Sequence, residues 1–311
     1  MFQQKTFKTR FFLSISLWLL CASMIQPVAF AAGRVEYQQI TSKILADAGR
    51  VAERELSVYL PEEYDTSGLA YPVLYLLHGG WWFGCGLQCN NRVFFEGQFS
   101  IVSSVDKLIG DEKIKPLIIV SPNIEHPIRA FPTKALVLSD RLLVKDYMSQ
   151  EIIPFVDTKY RTIPDRKGRV ISGWSNGGLG TLFIGLSLPE KFSLVGTYSG
   201  GVTLAEGGVF LIERDLVVAH KQGNFPLQFW VYVGRNDDWG FLPINRQLVQ
   251  ALEEANLPHV YVEDDGNHSN EVVEKASESI VYFSKFLGDT LTAVQPQGKL
   301  ATKWGEIKTN H

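Results

Sequence analysis

Arg169-Val170-Ile171-Ser172-Gly173-Trp174-Ser175-Asn176-Gly177-Gly178-Leu179-Gly180 is the stretch on which the reading of this chain turns. A short apolar run leads into a G-x-S-x-G pentad, which opens onto Thr181-Leu182-Phe183. The pattern reads as a buried strand, a sharp turn, a nucleophile and a helix. A serine on such a turn sits in strained backbone with its hydroxyl exposed. Side chains at Gly173 or Gly177 would collide with the adjoining strand and helix, so the flanking residues must be small. A bare G-x-S-x-G is a weak signal; the strand before it and the helix after it give it weight.

Working outward, similar apolar runs recur along the chain at 53–60, 72–77, 116–120, 193–198, 228–233 and 259–262. Continuous apolar strands of this length suit a parallel sheet covered on both faces. Amphipathic segments lie between them. Residues 147–160 carry Ile152, Ile153, Phe155 and Val156; residues 245–256 carry Leu248, Val249 and Leu252. Residues 270–287 place Val273, Ala276, Ile280, Phe283 and Leu287 on one helical stripe. Strands alternating with helices predict an α/β fold with a mostly parallel, doubly wound sheet in a single domain. Residues 123–140, with Pro127 and Pro132, read as an irregular wall or lid over a site.

The first 31 residues read as a targeting segment. Lys5, Lys8 and Arg10 precede the apolar run Phe11 to Ile25, and Ala29-Phe30-Ala31 supplies a small-x-small cleavage pattern. The expected organisation is a signal peptide at 1–31, a domain at 32–288 and a polar tail at 289–311. Export to the periplasm or medium follows, with no stable membrane anchor after cleavage. Removing residues 1–31 takes three cations and no anion, so the net charge of −3 becomes −6. That balance argues against nucleic acid as a partner and against a polybasic membrane contact. Cys85 and Cys89 then remain, and in an exported protein they read as a candidate disulfide rather than free thiols.

A serine hydroxyl needs a base, and the base needs a third group to orient it and stabilise its cation. In an open α/β sheet these groups gather at the carboxyl ends of the strands. His268, in Asp264-Asp265-Gly266-Asn267-His268, follows the last strand and is the expected base. Asp237, in the turn Gly234-Arg235-Asn236-Asp237-Asp238, is the expected acid, with Asp238 in reserve and Asp264 and Asp265 as further alternatives. Helix capping near Gly240 is the competing role for the pair, one capping while the other orients. The oxyanion hole is expected from the N–H groups of Asn176 and Gly80, with Trp81 as the alternative to Gly80. His78 suits the shaping of that loop. Trp81, Trp82, Trp174 and Trp239 fall in these loops and are the candidate pocket residues. No H-e-x-x-H-type, Cys/His or phosphate-loop motif occurs, which points to an enzyme without metal or cofactor.

Taken together, these motifs resemble the esterase D-like family of α/β-hydrolases, which includes feruloyl and acetylxylan esterases, S-formylglutathione hydrolases, siderophore esterases and mycolyltransferases. The likeness covers roughly residues 50–288 and rests on Tyr71 to Gly79, Glu151 to Asp157 with Tyr160-Arg161, and Gly173 to Gly180. Pro189 to Phe192 leading to Ser199-Gly200, then Gly234 to Asp237 and Gly266 to His268, extend it. Trp174, Asn176 and the pair Trp81-Trp82 depart from its usual residues. The resemblance implies the α/β-hydrolase fold, a Ser175–His268–Asp237 triad and hydrolysis of a small-molecule or carbohydrate-linked ester. An acyltransferase would use the same triad, and a non-catalytic binding module is the reading from a different class.

Overall fold

The computed structural model of the chain describes residues 32–80, 90–124, 134–200, 217, 220 and 224–287. Eight strands form one sheet: β1 Arg34–Thr41, β2 Glu53–Leu60, β3 Val73–Leu77, β4 Ile118–Pro122, β5 Arg169–Trp174, β6 Leu194–Tyr198, β7 Gln228–Gly234 and β8 His259–Asp264. Their spatial order is β1-β2-β4-β3-β5-β6-β7-β8. β1 and β2 run antiparallel to their neighbours, and β3 to β8 are all parallel. This is the α/β-hydrolase fold.

The helices that matter here are α1 Lys43–Asp47, α2 Val102–Gly110, α3 Lys134–Tyr147, α4 Ile153–Lys159, α5 Asn176–Ser187, α6 Leu242–Glu254 and α7 Val272–Ser284. The strands show why both faces need covering. Val73, Tyr75 and Leu77 of β3 point into one core, while Leu74 and Leu76 point into the other. β7 repeats the pattern with Phe229 and Val231 against Trp230 and Tyr232. The period of two forces opposite burial of successive side chains. Val144, Ile153, Leu182 and Leu248, from α3 to α6, fill the first core; Val105 of α2 and Val272, Ala276, Ile280 and Phe283 of α7 fill the second. Each fully buried Val, Leu, Ile or Phe side chain contributes about 2 kcal/mol of transfer free energy.

Two boundaries differ from the expected ones. The sheet begins at β1, one strand before residue 53. β1 is the polar run Arg-Val-Glu-Tyr-Gln-Gln-Ile-Thr, half exposed along its length, and lies at the sheet's edge. Its pairing with β2 over eight residues places it there, rather than any apolar periodicity. The wall expected at 123–140 is helical from Lys134, and α3 runs into a π-type turn at Met148–Ile152 before α4. Pro154 at the start of α4 lacks the N–H that an unbroken helix would need there, and the wider turn accommodates it. Residues 125–133 lie outside the described residues, as do 1–31 and those from 288.

Candidate active site

Ser175 stands where β5 turns into α5, at φ 56° and ψ −122°. Such backbone costs an L residue roughly 1–3 kcal/mol, so its surroundings must impose it. They do so from both sides. Ser175 N–H donates to the Tyr198 carbonyl at 2.9 Å, and its own carbonyl accepts from Leu179 N–H at 3.1 Å. The flanking glycines are steric requirements. A Cβ on Gly173 would lie 2.5 Å from the Gly177 backbone, and one on Gly177 would lie 2.2 Å from the Leu77 carbonyl oxygen.

His268 follows β8 in a loop shaped by Asn267, whose side-chain oxygen accepts from the N–H groups of Ser269 and Asn270 at 2.9 Å each. Its Nε2 lies 3.0 Å from Ser175 Oγ, and its Nδ1 lies 2.8 Å from Asp237 Oδ2. With the Nδ1 proton directed at the carboxylate, Nε2 is left to accept the serine proton. Asp237 is in the turn after β7, with its side chain 0% exposed. Its Oδ1 accepts from the N–H groups of Trp239 at 3.0 Å and Phe241 at 3.4 Å. One carboxylate therefore holds its own turn with one oxygen and the imidazole with the other. The division of labour expected between Asp237 and Asp238 is not needed.

Aromatic rings enclose the imidazole. Trp174, Trp239 and Phe241 lie 5.7, 5.6 and 5.0 Å from it, centroid to centroid. Trp174 is buried between His268 and Phe99, and its indole N–H donates to the His268 carbonyl at 2.9 Å. Trp239 is half exposed at the rim. Phe241 went unnoticed in the sequence; its signal was the spacing Asp237-Asp238-Trp239-Gly240-Phe241, which sets a second ring on the same turn. Trp81, Trp82, Cys85 and Cys89 lie outside the described residues.

The loop after β3 brings Gly80 to Asn176. The Asn176 side-chain amide donates to the Gly80 carbonyl at 3.1 Å, tying together the two residues expected to form the oxyanion hole. Gly80 has φ 107°, a conformation that favours glycine. The backbone N–H of Asn176 belongs to the first turn of α5, where amides have no intrahelical acceptor, and the helix dipole adds positive potential there. His78 fixes the loop from below. Its Nδ1–H donates to the Gly79 carbonyl at 2.8 Å, and its Nε2 accepts from Ile124 N–H at 3.1 Å. Burial, with the nearby Arg54 cation, pushes its pKa down to about 4 against the pull of the Gly79 carbonyl. His78 is thus a neutral spacer between the ends of β3 and β4. Among the described residues, no group of three or more His, Cys, Asp or Glu is placed to hold a metal ion.

Comparison with known proteins agrees with this architecture. An esterase of Mycobacterium tuberculosis is 30% identical over 155 residues, 48% of this chain and 29% of that protein. An endo-1,4-beta-xylanase/feruloyl esterase of Xylanibacter ruminicola is 32% identical over 154 residues, 48% of this chain and 20% of that protein. The chain thus spans less than a third of the length of these two relatives. Among solved structures, a ferulic acid esterase from Anaeromyces mucronatus superposes with a TM-score of 0.65 at 21% identity, covering 86% of this chain and 94% of that one. An S-formylglutathione hydrolase from Staphylococcus aureus gives 0.59 at 17% identity, covering 82% and 100%. Residues 51–286, from the start of β2 to just past α7, match the family model described as "Putative esterase", and the chain belongs to that Esterase family.

Proposed function

We propose that the protein is an exported serine esterase that hydrolyses carboxylic esters through Ser175, His268 and Asp237. The observation that carries this reading is the unbroken line of contacts from Ser175 Oγ to His268 at 3.0 Å and on to Asp237 at 2.8 Å, next to the contact that ties Gly80 to Asn176. His268 Nε2 takes the serine proton as Oγ attacks the ester carbonyl. Asp237 keeps the imidazole in the accepting tautomer and stabilises its cation. The N–H groups of Asn176 and Gly80 receive the charge that develops on the carbonyl oxygen. His268 then protonates the leaving alcohol; water next attacks the acyl-enzyme, giving its proton to His268, which returns it to Ser175 Oγ as the acid leaves.

Relatives named for feruloyl ester hydrolysis, and a feruloyl esterase module from Clostridium thermocellum solved with sinapinate, make aromatic acyl esters the first substrates to offer. The half-exposed Trp239 ring beside His268 is suited to such a ring. The leader at 1–31 supports export, and no helix among the described residues is long and apolar enough to cross a membrane. Release from that leader predicts a mature N-terminus near Ala32, read by sequencing the exported protein.

The test is hydrolysis of p-nitrophenyl esters of graded acyl length, and of methyl ferulate, by wild type and Ser175→Ala. Turnover that falls at least about a thousandfold in Ser175→Ala supports the reading. Equal turnover by both proteins rejects it.

A further inference from the structure

His268 sits on a loop that leaves β8 at Asp264 and reaches α7 after Glu271. Both ends of that loop return to one atom. The hydroxyl of Tyr232 donates to Asp264 Oδ1 at 3.1 Å and to Glu271 Oε2 at 3.4 Å. A phenol has one proton, so the two carboxylates share it. Asp264 Oδ1 also accepts from Gly266 N–H at 2.9 Å, and Asp264 Oδ2 lies 3.3 Å from Lys275 Nζ. That buried ammonium offsets the negative charge collected around the phenol and lies 5.9 Å from the Tyr232 ring. The contact is close enough that a Cβ on Gly266 would fall 2.4 Å from the Tyr232 oxygen.

Tyr232 belongs to β7, the strand that turns at Gly234 and delivers Asp237 three residues later. Its side chain is fully buried, and its carbonyl accepts from Ser199 N–H at 2.8 Å, at the end of β6 beside the nucleophile turn. The phenol therefore stands on the element that carries the acid and holds the loop that carries the base. Asp265-Gly266-Asn267 offers the loop no large apolar side chain of its own, so polar tethers must set its course.

We propose that Tyr232 is a positioning residue for His268, tying both ends of the histidine loop to the strand that delivers Asp237. The proposal rests on the esterase reading above. Tyr232 touches no reacting atom; it fixes the distance and angle at which the imidazole meets its two partners. A base displaced by a fraction of an ångström loses rate while substrate binding is kept.

The experiment compares the full chain as wild type, Tyr232→Phe and Tyr59→Phe. Tyr59 donates to Asp106 at 2.7 Å near the other edge of the sheet, so its variant removes a phenol–carboxylate bond of the same kind away from the site. Two quantities are read: kcat and KM on p-nitrophenyl butyrate, and the low-field proton resonance of an imidazole N–H shared with a carboxylate. Tyr232→Phe is expected to lower kcat about tenfold with KM within twofold, and to broaden or shift that resonance. Tyr59→Phe is expected to leave both unchanged even where it lowers the melting temperature. Wild-type kcat and an unmoved resonance in Tyr232→Phe overturn the proposal, as does an equal kcat loss in Tyr59→Phe. If Tyr232→Phe does not fold, Glu271→Ala unties the far end of the loop alone and carries the same expectations. A wild type inert on every ester would sink the esterase reading by itself, and the resonance comparison would still decide whether Tyr232 sets the loop.

Discussion

At the residue scale, the central pair is Asp237 and its neighbour Asp238. Adjacent positions in a turn direct their side chains differently, and only one can meet an imidazole that arrives from the next strand. Asp237 does so at 2.8 Å while its other oxygen holds two backbone N–H groups. The sequence favoured Asp237 but could not exclude its neighbour, because the choice depends on where the His268 loop passes. Asp237→Asn is expected to lower kcat by about a thousandfold or more, since the amide favours the wrong imidazole tautomer, whereas Asp238→Asn stays within about threefold. Steady-state kinetics of the two purified variants check this; comparable losses in both would contradict it. Trp174 has a role no motif announced. Its indole N–H donates to the His268 carbonyl, so Trp174→Phe keeps a ring but drops the tether. A fall in kcat of about tenfold is expected, with a stability loss of about 2 kcal/mol from the smaller ring, both measurable by kinetics and urea unfolding.

At the element scale, the strand-turn-helix unit around Ser175 is the most tightly specified part of the chain. Its glycines are demanded by contact: Gly177 lies against the end of β3, and nothing larger fits. Gly177→Ala is expected to cost about 3 kcal/mol or more, read as a lower midpoint in urea or as insoluble protein. A variant as stable as wild type would mean that the turn is not packed as described. The same unit was legible in the sequence because its apolar run, small residues and helix are consecutive. β2 to β7 were legible for a similar reason, being largely buried and apolar, and β8 by the apolar run at its start, although it is only half buried. β1 was not, because an edge strand of mixed polarity is held by its pairing with β2, a fact written in another segment. The start of α3 was hidden by Pro127 and Pro132, which spoke for irregular chain just ahead of it. The tethers from Tyr232 and Trp174 were illegible, and the shaping role of His78 was legible without its partner Ile124, since each of these contacts joins residues far apart in the chain through geometry that only the assembled sheet creates.

At the scale of the whole molecule, the sheet serves as a frame that brings the ends of β5, β7 and β8 to one place, and His78 links the ends of β3 and β4 without carrying charge. Its pKa of about 4 sets a sign. Between about 6.5 and 4 the unfolded chain takes up a proton on this histidine that the folded protein refuses, so stability falls as pH drops through that window. The contribution is about 3 kcal/mol when fully developed. Urea unfolding of wild type and His78→Gln at pH 7 and pH 4.5 checks it: the wild type should lose more on acidification than the variant, and equal losses would contradict a buried neutral His78. Everything in the frame converges on Ser175 as the nucleophile proposed above. The most direct test of that role is labelling of the folded protein with an active-site-directed fluorophosphonate, followed by peptide mass spectrometry of wild type and His268→Ala. One adduct is expected, on Ser175, formed at least about a hundredfold more slowly in His268→Ala. No adduct on Ser175 in folded wild type, or labelling as fast without the histidine, would contradict it.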